Sequence, residues 1–240
     1  ISDGLKNKKR MNKLCIATLL AALTPLIHVA QDFKRAYDRD EGPNTGGMGA
    51  YSPLPWAPDD IMEETYEKVL APVIAEMAAR GTPFVGLLYA GLALTDHGLK
   101  VIEFNARFGD PETQPILLRL KSSLVDLCLA AINDELDSYQ INWTEQHSSG
   151  VVIASEGYPE SYATNKEVAI SIEDSHDAKL FHAGTKLVDG KIMTSGGRVF
   201  CATALGDDLK TAQTNAYNLV NSVTFDGAFH RTDIGFKGIK

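Results

Sequence analysis

Val101-Ile102-Glu103-Phe104-Asn105-Ala106-Arg107 is the stretch from which the rest of the chain can be read. Its branched and aromatic residues predict a strand, in which successive side chains point to opposite faces. Glu103, Asn105 and Arg107 then share one face with Val101, while Ile102, Phe104 and Ala106 line the other. A carboxylate, a neutral amide oxygen and a guanidinium in a row suit a magnesium nucleotide. Glu103 and Asn105 offer hard oxygen ligands to Mg²⁺, which fills its remaining positions with water and substrate phosphate. Arg107 can pair with a phosphate through two parallel N–H groups. From these seven residues alone, an ordinary amphipathic strand with a polar outer face reads equally well.

Downstream, Phe108-Gly109-Asp110-Pro111-Glu112 predicts a tight turn into a helix, with Asp110 as N-cap and Pro111 in the first position. Backbone amides there can meet an anion. Upstream, Phe84 to Thr95 and Leu99 to Phe104 read as strands joined at Asp96-His97-Gly98. Before them a helix is expected from Asp59 or Asp60, where Asp60 and Glu63 have capping-box spacing, to a stop at Gly81. Met62, Tyr66, Val69, Val73 and Met77 form its apolar stripe, and Pro72 should kink it. Pro111 to Lys121 and Ser122 to Asn133 read as two further helices.

Gln31 to Pro58 is loop-like, with Gly42-Pro43-Asn44-Thr45-Gly46-Gly47-Met48-Gly49 at its centre. Such glycine density opens backbone conformations closed to other residues, and its amides can wrap a phosphate or carboxylate. No GK[ST] follows, so it is not a Walker loop. Past Thr144 to Ser149 the texture changes to short strands at 151–154, 168–172, 178–181, 186–188, 191–193 and 198–203, with a hairpin signal at Asp189-Gly190. A closing helix is expected from Asp208 to Val223. The fold class is α+β, with a boundary near 145 that divides the chain into 1–145 and a small β-rich 146–240.

The 240 residues, 44% hydrophobic and 22% charged, have the profile of a globular protein. Lys+Arg 23 against Asp+Glu 31 leaves a formal charge of −8, which argues against a nucleic-acid partner. A small phosphorylated ligand remains compatible, since a few local cations can hold it. Cys15, Cys128 and Cys201 are too few and too far apart for a disulfide framework or a metal set and read as idle thiols in a reducing cytosol. No histidine pair has ligand spacing. The basic Lys6 to Lys13 and apolar Leu14 to Ala30 superficially resemble a signal peptide, but no A-x-A site follows and the run is short for a membrane span. A strand or helix is the favoured reading, with no membrane partner.

Gln31-Asp32-Phe33-Lys34-Arg35, Gly42 to Tyr51 and Glu103 to Glu112 together resemble the glycinamide ribonucleotide synthetase (phosphoribosylamine–glycine ligase) family. The likeness continues through Gly157-Tyr158-Pro159, Phe181 to Thr185, Ser195 to Val199 and Arg231 to Phe236, and so covers about residues 30 to 240. The resemblance implies an ATP-grasp fold, of which this chain carries the C-terminal half and then a small β-rich domain. It implies a cytoplasmic ligase making glycinamide ribonucleotide from ATP, glycine and 5-phosphoribosylamine through a glycyl phosphate. It assigns Mg²⁺ or Mn²⁺ to Glu103 and Asn105, and phosphoryl stabilisation to Arg107, with Asp110 shaping the adjoining site. Asp32, Lys34, Arg35, Asn44, Thr45, Gly46 and Gly47 fall to glycine and phosphoribosylamine.

Residues 1–30 match the family poorly, and the family's nucleotide-clamping segment is expected to be missing, so the polypeptide alone is not expected to turn over. A non-catalytic binding or assembly fragment, or another ATP-grasp carboxylate–amine ligase, would share most of these features. Oligomeric state is not legible.

Overall fold

The computed structural model describes residues 12–20, 26–172 and 175–239. Two strands open it, β1 (Asn12–Leu20) and β2 (Leu26–Asp32), paired antiparallel. The described parts of the apolar run that mimics a leader are thus two paired sheet strands, while residues 21–25 and the basic residues before Asn12 lie outside the described residues. No helix among the described residues is long and apolar enough to cross a membrane.

The stretch expected as loop contains three short strands. β3 (Arg35–Tyr37) and β4 (Glu41–Asn44) form a ribbon, turned by Arg39 and Asp40 with positive φ. β5 (Gly49–Ser52) bonds to β2 and is entirely buried. The glycine-rich sequence has weak strand propensity, and non-local pairing overrides it.

A helical segment follows: α1 (Ile61–Thr65), a π-helical turn at Tyr66–Leu70, and α2 (Ala71–Ala79). Pro72 falls in the first turn of α2, and the widened turn before it absorbs the missing N–H and the ring's bulk. The expected capping box does not form: Asp60 makes no side-chain cap bond.

β6 (Gly86–Thr95) and β7 (Gly98–Asn105) make the hairpin expected around residues 96–98. Its register shifts where Leu92 faces Val101 but Gly91 faces Glu103, a bulge at Ile102. A bulge adds one residue and resets alternation. Val101 therefore does not share the Glu103 face; it lines a groove with Phe104, against Val73 and Met77 of α2.

α3 (Thr113–Leu118) is shorter than expected at both ends, and α4 (Leu124–Ile132) is capped by the Ser123 hydroxyl, which accepts from the Asp126 amide. Next come β8 (His147–Ser155), β9 (Ala169–Ile170), β10 (Ala178–His182) and the β11 (Thr185–Val188) and β12 (Lys191–Thr194) hairpin. The hairpin turns on Asp189 and Gly190, both with positive φ, as their sequence predicts. β13 (Arg198–Gly206), α5 (Leu209–Val220), β14 (Val223–Thr224) and β15 (Ala228–Phe229) complete the order. Asp208 caps α5 by accepting from the Thr211 amide.

Nine of the described strands form one sheet in the order β10-β13-β8-β5-β2-β1-β6-β7, with β15 added to β8. The pairing of β5 with β8 carries the sheet across position 145. Val151, Ile153, Phe200 and Ala202 are buried at its centre, covered by Leu209, Ala212, Ala216 and Leu219 of α5.

The C-terminal segment is clamped onto the loop after β2. Arg231, with a fully buried side chain, pairs with Asp233 at 2.7 Å and Asp40 at 3.2 Å, donates to the Arg35 carbonyl and lies over the Phe33 ring. The Thr232 amide donates to Asp38 at 2.8 Å. Burial pushes the Asp38 and Asp40 carboxyls up, but hydrogen bonds from Thr232 and Lys237, helped by the Arg231 charge, bring both below the usual aspartate value of 3.8. A depressed acid contributes stability above its unfolded value and loses it as pH falls through the folded one. Urea unfolding should therefore show stability dropping below about pH 4, by linkage of these depressed acids. Arg231→Ala should remove about 1–3 kcal/mol at pH 7, because it takes a charged hydrogen-bond partner from the half-buried carboxylates of Asp40 and Asp233; a midpoint within error of the parent chain would contradict the clamp.

Candidate active site

Three segments meet at an open cleft of about 320 Å³. β7 supplies Glu103 and Asn105, and the turn after it supplies Arg107, Asp110 and Glu112. The loop after β2 supplies Lys34 and Gly46, and β13 supplies Arg198.

Glu103, Asn105 and Arg107 are together on the cleft side, as strand alternation beyond the bulge requires. Gly91 lies opposite Glu103, and a Cβ there would come 3.0 Å from the Glu103 Cγ, so the carboxylate lies across β6 because the position is bare. The Asn105 Nδ2 is buried and has no hydrogen-bond partner among the described residues, which leaves the amide free to turn its oxygen outward. Among the described residues no group of three or more His, Cys, Asp or Glu is arranged for a metal. Two oxygen donors with phosphate and water completing the shell is the pattern Mg²⁺ takes, so this donor set fits it.

Lys34 sits between two carboxylates, 2.5 Å from Asp32 and 3.7 Å from Glu112. Glu112 is 1% exposed and accepts a hydrogen bond from the Tyr89 hydroxyl at 2.9 Å. Gly109 makes room for this pair, since a Cβ there would meet Glu112 at 2.7 Å and Tyr89 at 2.8 Å. Burial pushes the Glu112 carboxyl above the ordinary glutamate range; the Asp32 charge adds to the rise and Lys34 opposes it.

Asp110 does not cap α3, whose N-cap position is Glu112. Its carboxylate instead accepts from Arg198 at 2.9 Å and from Gln114 at 3.0 Å, and its carbonyl accepts from Arg198 at 2.8 Å. The glycine loop does not present free amides either. The Thr45 amide donates to the Lys34 carbonyl, Gly46 to the Tyr158 hydroxyl, Gly47 to the Thr45 hydroxyl and Met48 to the Phe33 carbonyl. Its contribution to the cleft is through carbonyls, Gly46 to Lys34 and Gly47 to Arg198, each at 3.4 Å. Arg35 turns away and donates to the Gly42 carbonyl at 2.6 Å, opposite Asn44 in the β3–β4 ribbon, so neither lines the cleft. Arg107 is exposed, with one N–H on the Phe108 carbonyl.

Sequence reasoning assigned no role to Glu112, Tyr89, Tyr158 or Arg198. Glu112 and Arg198 stand inside motifs that were read, but only burial and long-range contact reveal what they touch.

The antiparallel sheet whose edge strand carries this carboxylate and amide belongs to an ATP-grasp fold. The biotin carboxylase domain of a thermophilic 2-oxoglutarate carboxylase shares it at TM-score 0.64 over 92% of this chain and 48% of that one, with 11% identity. Residues 15–113 match the family model described as phosphoribosylglycinamide synthetase, ATP-grasp (A) domain, and residues 148–237 match its C domain. The chain belongs to the phosphoribosylglycinamide synthetase family. Phosphoribosylamine–glycine ligase of Salmonella typhimurium is 53% identical over 214 residues, covering 88% of this chain and 50% of that protein. The crystal structure of the phosphoribosylamine–glycine ligase of Thermotoga maritima superposes with TM-score 0.84 and 30% identity over 93% of this chain and 56% of that one. The chain thus spans about half the length of the curated relatives it matches. The family match starts at residue 15, earlier than the motifs suggest.

A carboxyl whose folded value is raised contributes stability while protonated and loses it as pH rises through that value. Glu112→Gln, which keeps an acceptor for Tyr89, should raise the melting temperature at pH 8 and leave it little changed at pH 4. Carbon-13 titration of the parent Glu112 carboxyl should give a midpoint above 4.5, moved higher still by Lys34→Met. A midpoint at or below 4.5 would mean the buried pair is not desolvated as described.

Proposed function

We propose that the chain is the metal- and substrate-handling part of a phosphoribosylamine–glycine ligase, working in the cytoplasm on ATP, glycine and 5-phosphoribosylamine. The observation that carries this reading is the row Glu103, Asn105 and Arg107 facing Lys34, Glu112 and Arg198 across one cleft. Glu103 and Asn105 would hold Mg²⁺ or Mn²⁺, which when bound neutralises and orients the nucleotide phosphates.

In the first step a glycine carboxylate oxygen attacks the γ-phosphorus, the bond from that phosphorus to the bridging oxygen breaks, and ADP leaves with the electron pair. Arg107 steadies the charge on the transferring phosphoryl group, and Lys34 with Asp32 orients glycine. In the second step the amine nitrogen of phosphoribosylamine attacks the carbonyl of glycyl phosphate, and the carbon–oxygen bond to phosphate breaks. The nitrogen gives up a proton, which Glu112 accepts, its desolvated carboxylate being a stronger base than an exposed one. Asp110 acts through Arg198 rather than on substrate. Thr45, Gly46 and Gly47 shape the wall behind Lys34, with Arg35 and Asn44 at its outer margin. Both steps gather negative charge, so positioning and fixed cations do most of the work.

Calorimetry of the chain with glycinamide ribonucleotide and Mg·ADP tests this reading. Binding should depend on the metal, and Glu103→Gln should weaken that dependence by about 10–100-fold, the range seen when groups supporting a bound metal are removed. Absence of binding by both ligands, or a variant indistinguishable from the parent chain, would refute the assignment. Metal-independent binding of the ribonucleotide alone would point to a non-catalytic binding fragment.

A further inference from the structure

α3 has Glu112 at its N-cap position and Arg119 at its C-cap position, so one short helix connects the catalytic cleft to a second cleft. Arg119 is only 6% exposed, and four of its five N–H groups are engaged. Nε donates to the Gln146 carbonyl at 2.8 Å and one Nη2 hydrogen to the Thr144 carbonyl at 3.3 Å. The two Nη1 hydrogens go to the Ser52 hydroxyl at 2.9 Å and to the His28 ring, which stacks on Trp143. No carboxylate forms an ion pair with this guanidinium among the described residues. Burial lowers Arg119 to about 10, with the exposed Glu145 opposing the shift from a distance. Desolvating a cation without an ion-pair partner is unfavourable, and neutral oxygens offset it only in part.

The fifth N–H belongs to a residue that lines an open cleft of about 480 Å³. Lys121 and Lys179 line the same cleft, and their ammonium groups have no partner among the described residues. Leu118, Leu120 and Leu205 form an apolar wall. Two carboxylates stand at its margin but are held by lining residues rather than by the lysines, Asp177 with His176 at 2.9 Å and Asp207 accepting from the Gln146 side-chain amide at 3.4 Å. β13 starts in the catalytic cleft at Arg198 and reaches this one at Leu205, seven positions on, or roughly 23 Å at about 3.3 Å per residue. The two clefts are distinct.

Three cations beside a leucine wall, in a cleft within the usual size of small-molecule sites, suit a ligand with an anionic head and an apolar body. Planar guanidinium recognition favours a phosphate head. We propose that this cleft binds a small phosphorylated molecule carrying an apolar group, at a site separate from the catalytic cleft and independent of the ligase reading. A purely structural Arg119 would account for the four bonds it makes, but not for two lysines without an ion-pair partner among the described residues lining the same cleft.

Phenyl phosphate, titrated into the isotope-labelled chain and followed by amide NMR, is the test. Saturable shifts are expected at Thr144, Gln146 and Lys179, while phenol should produce none. Lys121→Ala/Lys179→Ala, both surface changes, should weaken binding at least about tenfold, or about 1.4 kcal/mol, with an unchanged melting temperature. Arg107→Ala, in the other cleft, should leave it unaltered. No saturable shift, equal binding of phenol, loss on Arg107→Ala, or indifference to the double lysine change would each overturn the proposal.

Discussion

A guanidinium that starts on the last long strand, Arg198 on β13, meets the carboxylate and carbonyl of Asp110 and the carbonyl of Gly47. These partners lie 88 and 151 positions away, in the turn after β7 and the glycine loop before β5. One side chain thereby closes a ring of three segments that share no local sequence logic. Approach this close requires bare backbone opposite it. A Cβ on Gly46 would lie 2.9 Å from the Arg198 Cζ, and one on Gly47, already at φ +123°, would lie 2.4 Å from Pro111. The glycine density of the loop is thus a packing requirement first. Its amides are spent on Lys34, Phe33, Thr45 and Tyr158, which hold the loop in shape rather than holding a ligand.

Behind that ring the charges are deliberately unbalanced. Lys34, Arg107 and Arg198 stand against Asp32, Glu103, Asp110 and Glu112, three cations to four carboxylates, a formal excess of one negative charge. Buried like charges are tolerated only when something shares them. Lys34 serves Asp32 and Glu112 at once, and Tyr89 steadies Glu112. The remaining carboxylate, Glu103, lies on the edge strand, where a hard divalent ion can reach it.

The Arg231 clamp serves the same cleft from outside. By fixing the C-terminal segment onto Asp40 and the Arg35 carbonyl, it holds the loop that carries Lys34, and the Phe33 ring beneath it is buried by the same contact. Residues near 35 and near 231 thus form one structural unit although most of the chain separates them. Stability and site geometry are coupled there through desolvated ion pairs.

Local pattern was enough to locate the β6–β7 and β11–β12 hairpins, the helix from Ile61 to Ala79, the closing α5 and the cleft-facing row of Glu103, Asn105 and Arg107, because each rests on periodicity or turn chemistry within about a dozen residues. The motif strings carried the family as well. The bulge that turns Val101 away from Glu103, the strands within the glycine-rich stretch, the shortened α3 and the engagement of Asp110 by Arg198 were decided only in the folded chain. So was the desolvation of Glu112. All of these depend on which distant backbone or charge arrives beside a residue, and contacts across 20 to 200 positions leave no periodic trace in a single sequence.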